Sequence, residues 1–166
     1  FSNVFLSFLN PPVEFHSGGR YDGNRAPSDL ARMFPSLERL IVEGGRLPTP
    51  FPFASLPPRL EELSIQHRAV DRCFWPNKIT FPSTLQKFRS SAALPIAFDL
   101  SVAFPSLVAL FLRVSGGNNG LPHLPSTVEH LGIESLDLLT LDAATLPRGL
   151  RTLKNGPTYH VSLYNT

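Results

Sequence analysis

Cysteine, glycosylation signals and long apolar runs are nearly or entirely missing from this chain of 166 residues. Cys73 is the only cysteine, which excludes an intrachain disulfide and a cysteine-based metal site. No Asn-x-Ser/Thr sequence occurs, so nothing supports N-glycosylation. No apolar run approaches the roughly 18 residues that a membrane helix needs. These features favour an intracellular, cytoplasmic protein without a membrane anchor.

Catalytic and ligand-binding motifs are also missing. The five histidines are scattered, without the spacing that a metal site requires: His16, His67, His123, His130 and His160. The glycine runs Ser17–Arg20 and Ser115–Gly120 lack the Lys-Ser/Thr pair that completes a phosphate-binding loop. No Gly-x-Ser-x-Gly is present, and Cys73 has no neighbouring histidine to activate it. We therefore expect a non-enzymatic protein that holds no metal and no cofactor.

What the sequence does contain is a repeat. A Phe-Pro or Leu-Pro pair precedes a Leu-x-x-Leu-x-(Ile/Leu/Val) pattern, with variations, in six copies. The first apolar anchors of the copies are spaced by 23, 25, 22, 21 and 22 residues: Leu37, Leu60, Leu85, Leu107, Val128 and Leu150. A fixed period in this range is typical of a solenoid.

The pattern within one copy predicts a short strand. Two apolar residues two positions apart, such as Leu63 and Ile65 or Leu110 and Leu112, point to the same side of a strand. One such strand cannot bury its apolar side alone, so the copies must stack into a parallel sheet with a continuous core. The prolines fix φ and favour extended backbone before them. We expect a solenoid of the α/β type, dominated by short parallel strands, with an extended or polyproline-like convex side and little helix.

The N-terminal part departs from the regular pattern. Ser28–Phe34 reads as a helical turn with Ser28 as its N-cap. Val13–His16 is the expected strand of an earlier repeat, and residues 1–12 are expected to be a cap or a truncated repeat. Residues 13–163 then form the repeats of a single domain that spans residues 1–166. Because the chain begins at Phe1, we expect a fragment or subunit of something larger.

The repeated phrase Pro-x-x-Leu-x-x-Leu-x-(Ile/Leu) resembles that of the leucine-rich repeat superfamily. The proline-rich copy Leu121–Leu131 is similar to repeats of bacterial secreted effectors, to the FNIP-type repeats of amoebae and to irregular repeats of other protists. The resemblance implies a curved horseshoe of about six to seven repeats. The asparagine that joins successive turns in the superfamily is missing here, since its positions are Gly45, Arg68, Ala93, Ser115, Leu136 and Thr158. We expect backbone and hydroxyl groups to join the turns instead.

The outward positions of the strands are the candidate binding residues, because solenoids of this kind bind on the concave sheet face. Adjacent turns are predicted to bring together an aromatic residue and three basic residues, the composition of an interaction hot spot: Lys87, Arg89, Phe111 and Arg113. The same face is predicted to include Ile41, Glu43, Gln66, His130 and Glu134.

The leading hypothesis is a non-enzymatic protein–protein interaction module, scaffold or structural subunit of an assembly, with a protein partner. An alternative is the substrate-recognition region of a larger enzyme such as a ubiquitin ligase. A further alternative is nucleic-acid or phosphate binding through Lys87, Arg89 and Arg113. Acidic residues on the same face and a net charge of only +2 disfavour nucleic acid.

Overall fold

The computed structural model describes residues 3–8, 30–44, 53–67, 80–91, 99–114, 123–135, 139–155 and 161–164. Within these ranges the chain forms nine strands, two short helices and two 3-10 turns. The strands are β1 (Asn3–Phe8), β2 (Arg39–Gly44), β3 (Glu62–His67), β4 (Lys87–Ser90), β5 (Ala109–Val114), β6 (His130–Ser135), β7 (Leu139–Asp142), β8 (Thr152–Asn155) and β9 (Val161–Tyr164). The helices are α1 (Leu30–Met33) and α2 (Leu100–Ala103), and the 3-10 turns are Phe53–Ser55 and Ala143–Thr145.

Seven of the strands form one parallel sheet in the order β1-β2-β3-β4-β5-β6-β8. The strand anchors are in register across the sheet, so that Leu63 pairs with Phe88, Phe88 with Leu110, and Leu110 with Leu131. The predicted parallel solenoid with little helix is therefore confirmed. The last two turns each carry an additional strand, and these two strands, β7 and β9, pair in parallel as a small second sheet that the repeat pattern did not predict.

The core lies on one side of the main sheet. It is built from strand anchors that are each no more than 2% exposed: Leu40, Val42, Leu63, Ile65, Phe88, Leu110, Leu112, Leu131 and Ile133. Burial of one such side chain contributes about 1.5–3 kcal/mol. Phe88 replaces leucine in β4, and its ring lies 4.7 Å from that of Phe104. Phe104 stacks in turn on Phe81, with ring centroids 4.2 Å apart, so the residues of two Phe-Pro steps pack beneath the sheet.

The prolines form tight turns before the strands. In five copies the N–H of the first anchor donates to the carbonyl three residues earlier, the hydrogen bond of a β-turn. The donor and acceptor residues are Leu37 and Phe34, Leu60 and Pro57, Leu85 and Pro82, Val128 and Pro125, and Leu150 and Pro147. Each turn fixes the direction in which its strand begins, and thus the side of the sheet on which its anchors lie.

A backbone ladder joins successive turns at the start of the strands. One carbonyl in each turn accepts two consecutive N–H groups of the next turn: Glu38 from residues 61 and 62, Glu61 from 86 and 87, Gln86 from 108 and 109, Val108 from 129 and 130, and Glu129 from 151 and 152. Threonine hydroxyls add to this ladder. Thr84 Oγ1 lies 2.8 Å from the Leu60 carbonyl, and Thr127 Oγ1 donates to that of Leu107 over 2.7 Å.

In the described residues, backbone and hydroxyl groups join the turns at the start of the strands. The expectation that they replace asparagine applies after the strands, where it stays a prediction. The six positions at which the superfamily would carry asparagine lie outside the described residues.

The strand that precedes β2 is β1, so the prediction that Val13–His16 supplies this strand is wrong. Asn3–Phe8 pairs with β2 over all six of its residues. Asn3–Phe8 offers three alternating apolar residues for the core side of a strand, whereas Val13–His16 offers only two. Residues 13–16 themselves lie outside the described ranges.

A second helix occurs where sequence analysis expected only one. The predicted turn at Ser28–Phe34 contains α1, although Ser28 lies outside the described residues. α2 is capped by Asp99, whose carboxylate accepts hydrogen bonds from the backbone N–H groups of Ser101 and Val102. In both places the sequence reads Asp-Leu, three further residues, then Phe-Pro-Ser-Leu, and both helices begin at the Leu and end at the residue before the Phe. The repeated phrase was a signal that could have revealed α2.

Candidate functional site

The outward side chains of β2 to β6 and β8, opposite the core, form a surface that we call the open face. Its residues align in columns across the strands, in the predicted register. One column contains Arg39, Glu62, Lys87, Ala109, His130 and Thr152, and the next contains Ile41, Ser64, Arg89, Phe111, Gly132 and Lys154. Further along the strands, Glu43 aligns with Gln66, and Arg113 with Glu134.

In the N-terminal part of the open face, the described polar side chains are largely paired with one another. Arg39 forms an ion pair with Glu62, with 3.0 Å between guanidinium nitrogen and carboxylate oxygen. Ile41 is half-buried, and Gln66 Nε2 donates to the hydroxyl of Ser64 over 3.4 Å. The backbone of Glu43 lies in β2 beside that of Gln66, and its side chain lies outside the described part.

Phe111 is packed within the open face. As predicted, strand alternation turns it away from the core, but its side chain is half-buried. Its ring lies against Gly132 of the neighbouring strand, where any Cβ would overlap the ring. From the other neighbouring strand, the guanidinium carbon of Arg89 lies 4.6 Å from the ring centroid, in cation–π geometry. Sequence analysis missed the role of Gly132, although the predicted columns placed it beside Phe111.

Arg113 is engaged with Glu134. The Arg113 Nε atom lies 3.9 Å from a Glu134 carboxylate oxygen, which is close enough for an ion pair and too long for a hydrogen bond. This Nε atom is buried and forms no hydrogen bond with any described residue. The members of the predicted basic cluster therefore have different contacts: Arg89 lies over the Phe111 ring, Lys87 aligns with Ala109, and Arg113 pairs with Glu134.

A groove of about 450 Å³ crosses the open face from β3 to β8. Its outward side chains come from the first two columns. Near its centre lie Ala109, which has a small side chain, and Gly132, which the Phe111 ring covers. The remaining outward residues that line it are Glu62, Lys87, Arg89, Phe111, His130, Thr152 and Lys154. Glu62, Thr152 and Lys154 were not among the predicted site residues.

The charges around the groove are unbalanced. Glu62, the one acidic residue among the described residues that line the groove, is already paired with Arg39. Lys87, Arg89 and Lys154 are exposed, and none of them has a carboxylate within ion-pair distance among the described residues. His130 Nδ1 lies 2.8 Å from Thr152 Oγ1. The groove thus combines the half-buried ring of Phe111 with three cations that have no carboxylate partner in the part of the chain that the structure describes.

No helix in the described ranges is long and apolar enough to cross a membrane. In the same part of the chain, no three histidine, cysteine, aspartate or glutamate side chains are grouped closely enough to hold a metal ion. Comparisons of the chain with protein-family models, with curated proteins and with solved structures found no match.

Proposed function

We propose that this chain is a non-enzymatic protein-binding module of the leucine-rich repeat type, working alone or as a subunit of an assembly. In this proposal the open face is the concave binding surface of a curved solenoid. The sequence resemblance and the parallel repeat architecture support it. A solenoid presents a long continuous surface on which outward side chains can vary while the anchors keep the fold.

The observation that carries the proposal is the groove. Arginine and aromatic side chains are enriched in the energetically dominant centres of protein interfaces. Here the Arg89 guanidinium is already held over the Phe111 ring, so less conformational entropy is lost when a partner contacts it. Lys87 and Lys154 supply charges on either side that a partner can satisfy.

Binding is a better account of the groove than turnover. General acid–base catalysis requires a proton donor or acceptor that can reach the substrate. The carboxylate of Glu62 is paired with Arg39, and His130 is engaged with Thr152. The cations are lysine and arginine, which attract anions and orient them.

The test compares two charge-reversal variants of equal net charge. K87E/K154E changes the groove, and R59E/R148E changes two exposed turn arginines away from it. Each variant is immobilised beside the wild type, partners are captured from lysate, and each candidate is then purified and titrated calorimetrically. We expect a partner that binds the wild type and R59E/R148E equally and K87E/K154E at least tenfold more weakly. Partners that bind all three proteins equally would contradict the proposal.

A further inference from the structure

We infer that the groove binds an extended acidic peptide segment in which two carboxylate side chains flank one apolar side chain, with the carboxylates four residues apart. This inference rests on the proposed function and adds the chemistry and spacing of the bound segment. It follows from the charges at the groove, the distance between them and the shape of the centre.

The charges select an anionic partner. Lys87 and Arg89 belong to β4 and Lys154 belongs to β8, so these three cations, which pair with no described carboxylate, lie at two separate places along the groove. Among the described residues that line the groove, the only carboxylate is that of Glu62, and it is paired with Arg39. A hydrogen bond that involves a charged group is roughly twice as strong as a neutral one. Aspartate or glutamate side chains on a partner would satisfy both groups of cations.

The distance selects an extended chain. β4 and β8 are separated by three strand steps, or about 14 Å at about 4.8 Å a step. In an extended peptide, residues four apart point the same way and are separated by about 13 Å. In an α-helix the same two residues are separated by only about 6 Å along the axis. A helix with this spacing would therefore reach one group of cations and miss the other.

The centre of the groove selects the residue between the two carboxylates. Halfway between β4 and β8 lie β5 and β6, where the small side chain of Ala109 and the Phe111 ring, which covers Gly132, form an apolar floor. An apolar side chain two residues from each carboxylate points into this space. The bound segment therefore reads acidic, any, apolar, any, acidic, and it crosses the strands without competing for their backbone hydrogen bonds.

The experiment measures fluorescence anisotropy of labelled peptides with glycine-serine flanks. The test peptide has the core Asp-Ser-Leu-Ser-Asp, and a second peptide of equal composition has the core Ser-Asp-Leu-Asp-Ser. We expect the first to bind saturably and the second at least tenfold more weakly, which corresponds to about 1.4 kcal/mol. K87E/K154E should weaken the first peptide at least tenfold, and R59E/R148E should stay within twofold of the wild type.

Circular dichroism melts establish that the variants are folded. Should K87E/K154E fail to fold, K87Q/K154Q removes the same charges and is expected to weaken binding at least fivefold. The inference is overturned if the first peptide does not bind, if both spacings bind equally, if only phosphorylated peptides bind, or if an RNA oligonucleotide binds and the first peptide does not. If the peptides fail while K87E/K154E still loses its captured partner, the proposed function stands and only this spacing is wrong.

Discussion

The contact between Phe111 and Gly132 leads to a prediction about stability. A Cβ at position 132 would overlap Cδ2 of the Phe111 ring and lie 2.8 Å from its Cε2. Gly132→Ala therefore forces the ring off its neighbour and away from the guanidinium of Arg89, 4.6 Å from the ring centroid. We expect this substitution to lower the free energy of unfolding by about 1–3 kcal/mol, the usual effect of overpacking.

Removing the Phe111 ring should reverse the sign of the stability change that Gly132→Ala causes. In a Phe111→Ala background the space above position 132 is empty, and alanine in a strand is more stable than glycine by roughly 0.5–1 kcal/mol. Phe111→Ala alone should destabilise the fold by at least the cation–π contribution of about 0.5–1 kcal/mol. The two substitutions should therefore compensate each other, with a coupling energy of about 1.5–4 kcal/mol.

Urea denaturation of the wild type, both single variants and the double variant measures this coupling. Gly149→Ala is the matched control, because no atom lies within 4 Å of a Cβ at position 149. We expect the control to leave the free energy of unfolding unchanged or slightly higher. A coupling energy below about 0.5 kcal/mol, the level at which independent sites add, would refute the packing of Phe111 on Gly132.

Three further predictions concern the turns. Thr84→Val removes the hydroxyl near the carbonyls of Pro58 and Leu60 and should lower the free energy of unfolding, measured by urea denaturation, by about 1 kcal/mol. Thr84→Ser keeps the hydroxyl, and equal losses from both substitutions would exclude its role. Gly149 occupies the position of Thr84 in the last copy, so Gly149→Thr should raise the free energy of unfolding by roughly 0.4–1 kcal/mol. The gain should exceed that of Gly149→Ala if the threonine hydroxyl donates a hydrogen bond to the preceding turn. The hydroxyl of Ser101 donates to the carboxylate of Asp99 and, with backbone N–H groups, holds the pKa of Asp99 below its ordinary value of 3.8. The ionised Asp99 carboxylate therefore stabilises the fold fully above pH 3.8, and this stabilisation is lost as the pH falls through the lower pKa of the folded state. The melting temperature of the wild type should exceed that of Asp99→Asn at neutral pH, and the difference should disappear in acid. A difference that does not change with pH would contradict this.

The register of the main sheet could be predicted because the anchors are local signals. The proline turn fixes where each strand begins, and the alternation of Leu63 with Ser64 and Ile65 fixes which side faces the core. Every copy obeys the same rule, so the columns of the open face followed by counting. Phe111 and Arg89 were brought together for this reason.

The other features of the site and the first strand depend on contacts between residues that no local sequence pattern relates. Arg113 follows Phe111 by two residues on the same face, but its pairing with Glu134 on the next strand was not predicted, and it is not among the described residues that line the groove. Gly132 has no side chain, and its importance arises from the ring that covers it. The strand β1 lies 36 residues before its partner β2, well outside the period of the other copies, so spacing could not identify it.

The backbone ladder also determines how this protein can change in length. The carbonyls that form it belong to Glu38, Glu61, Gln86, Val108 and Glu129, so the ladder does not depend on one type of side chain. Turns of 21 to 25 residues all present the same pair of N–H groups to the preceding carbonyl. Duplication of one whole copy would thus preserve every rung and widen the open face by about 4.8 Å. Loss of a single residue inside a strand would reverse its two faces, so gene-level variation is expected to proceed by whole turns.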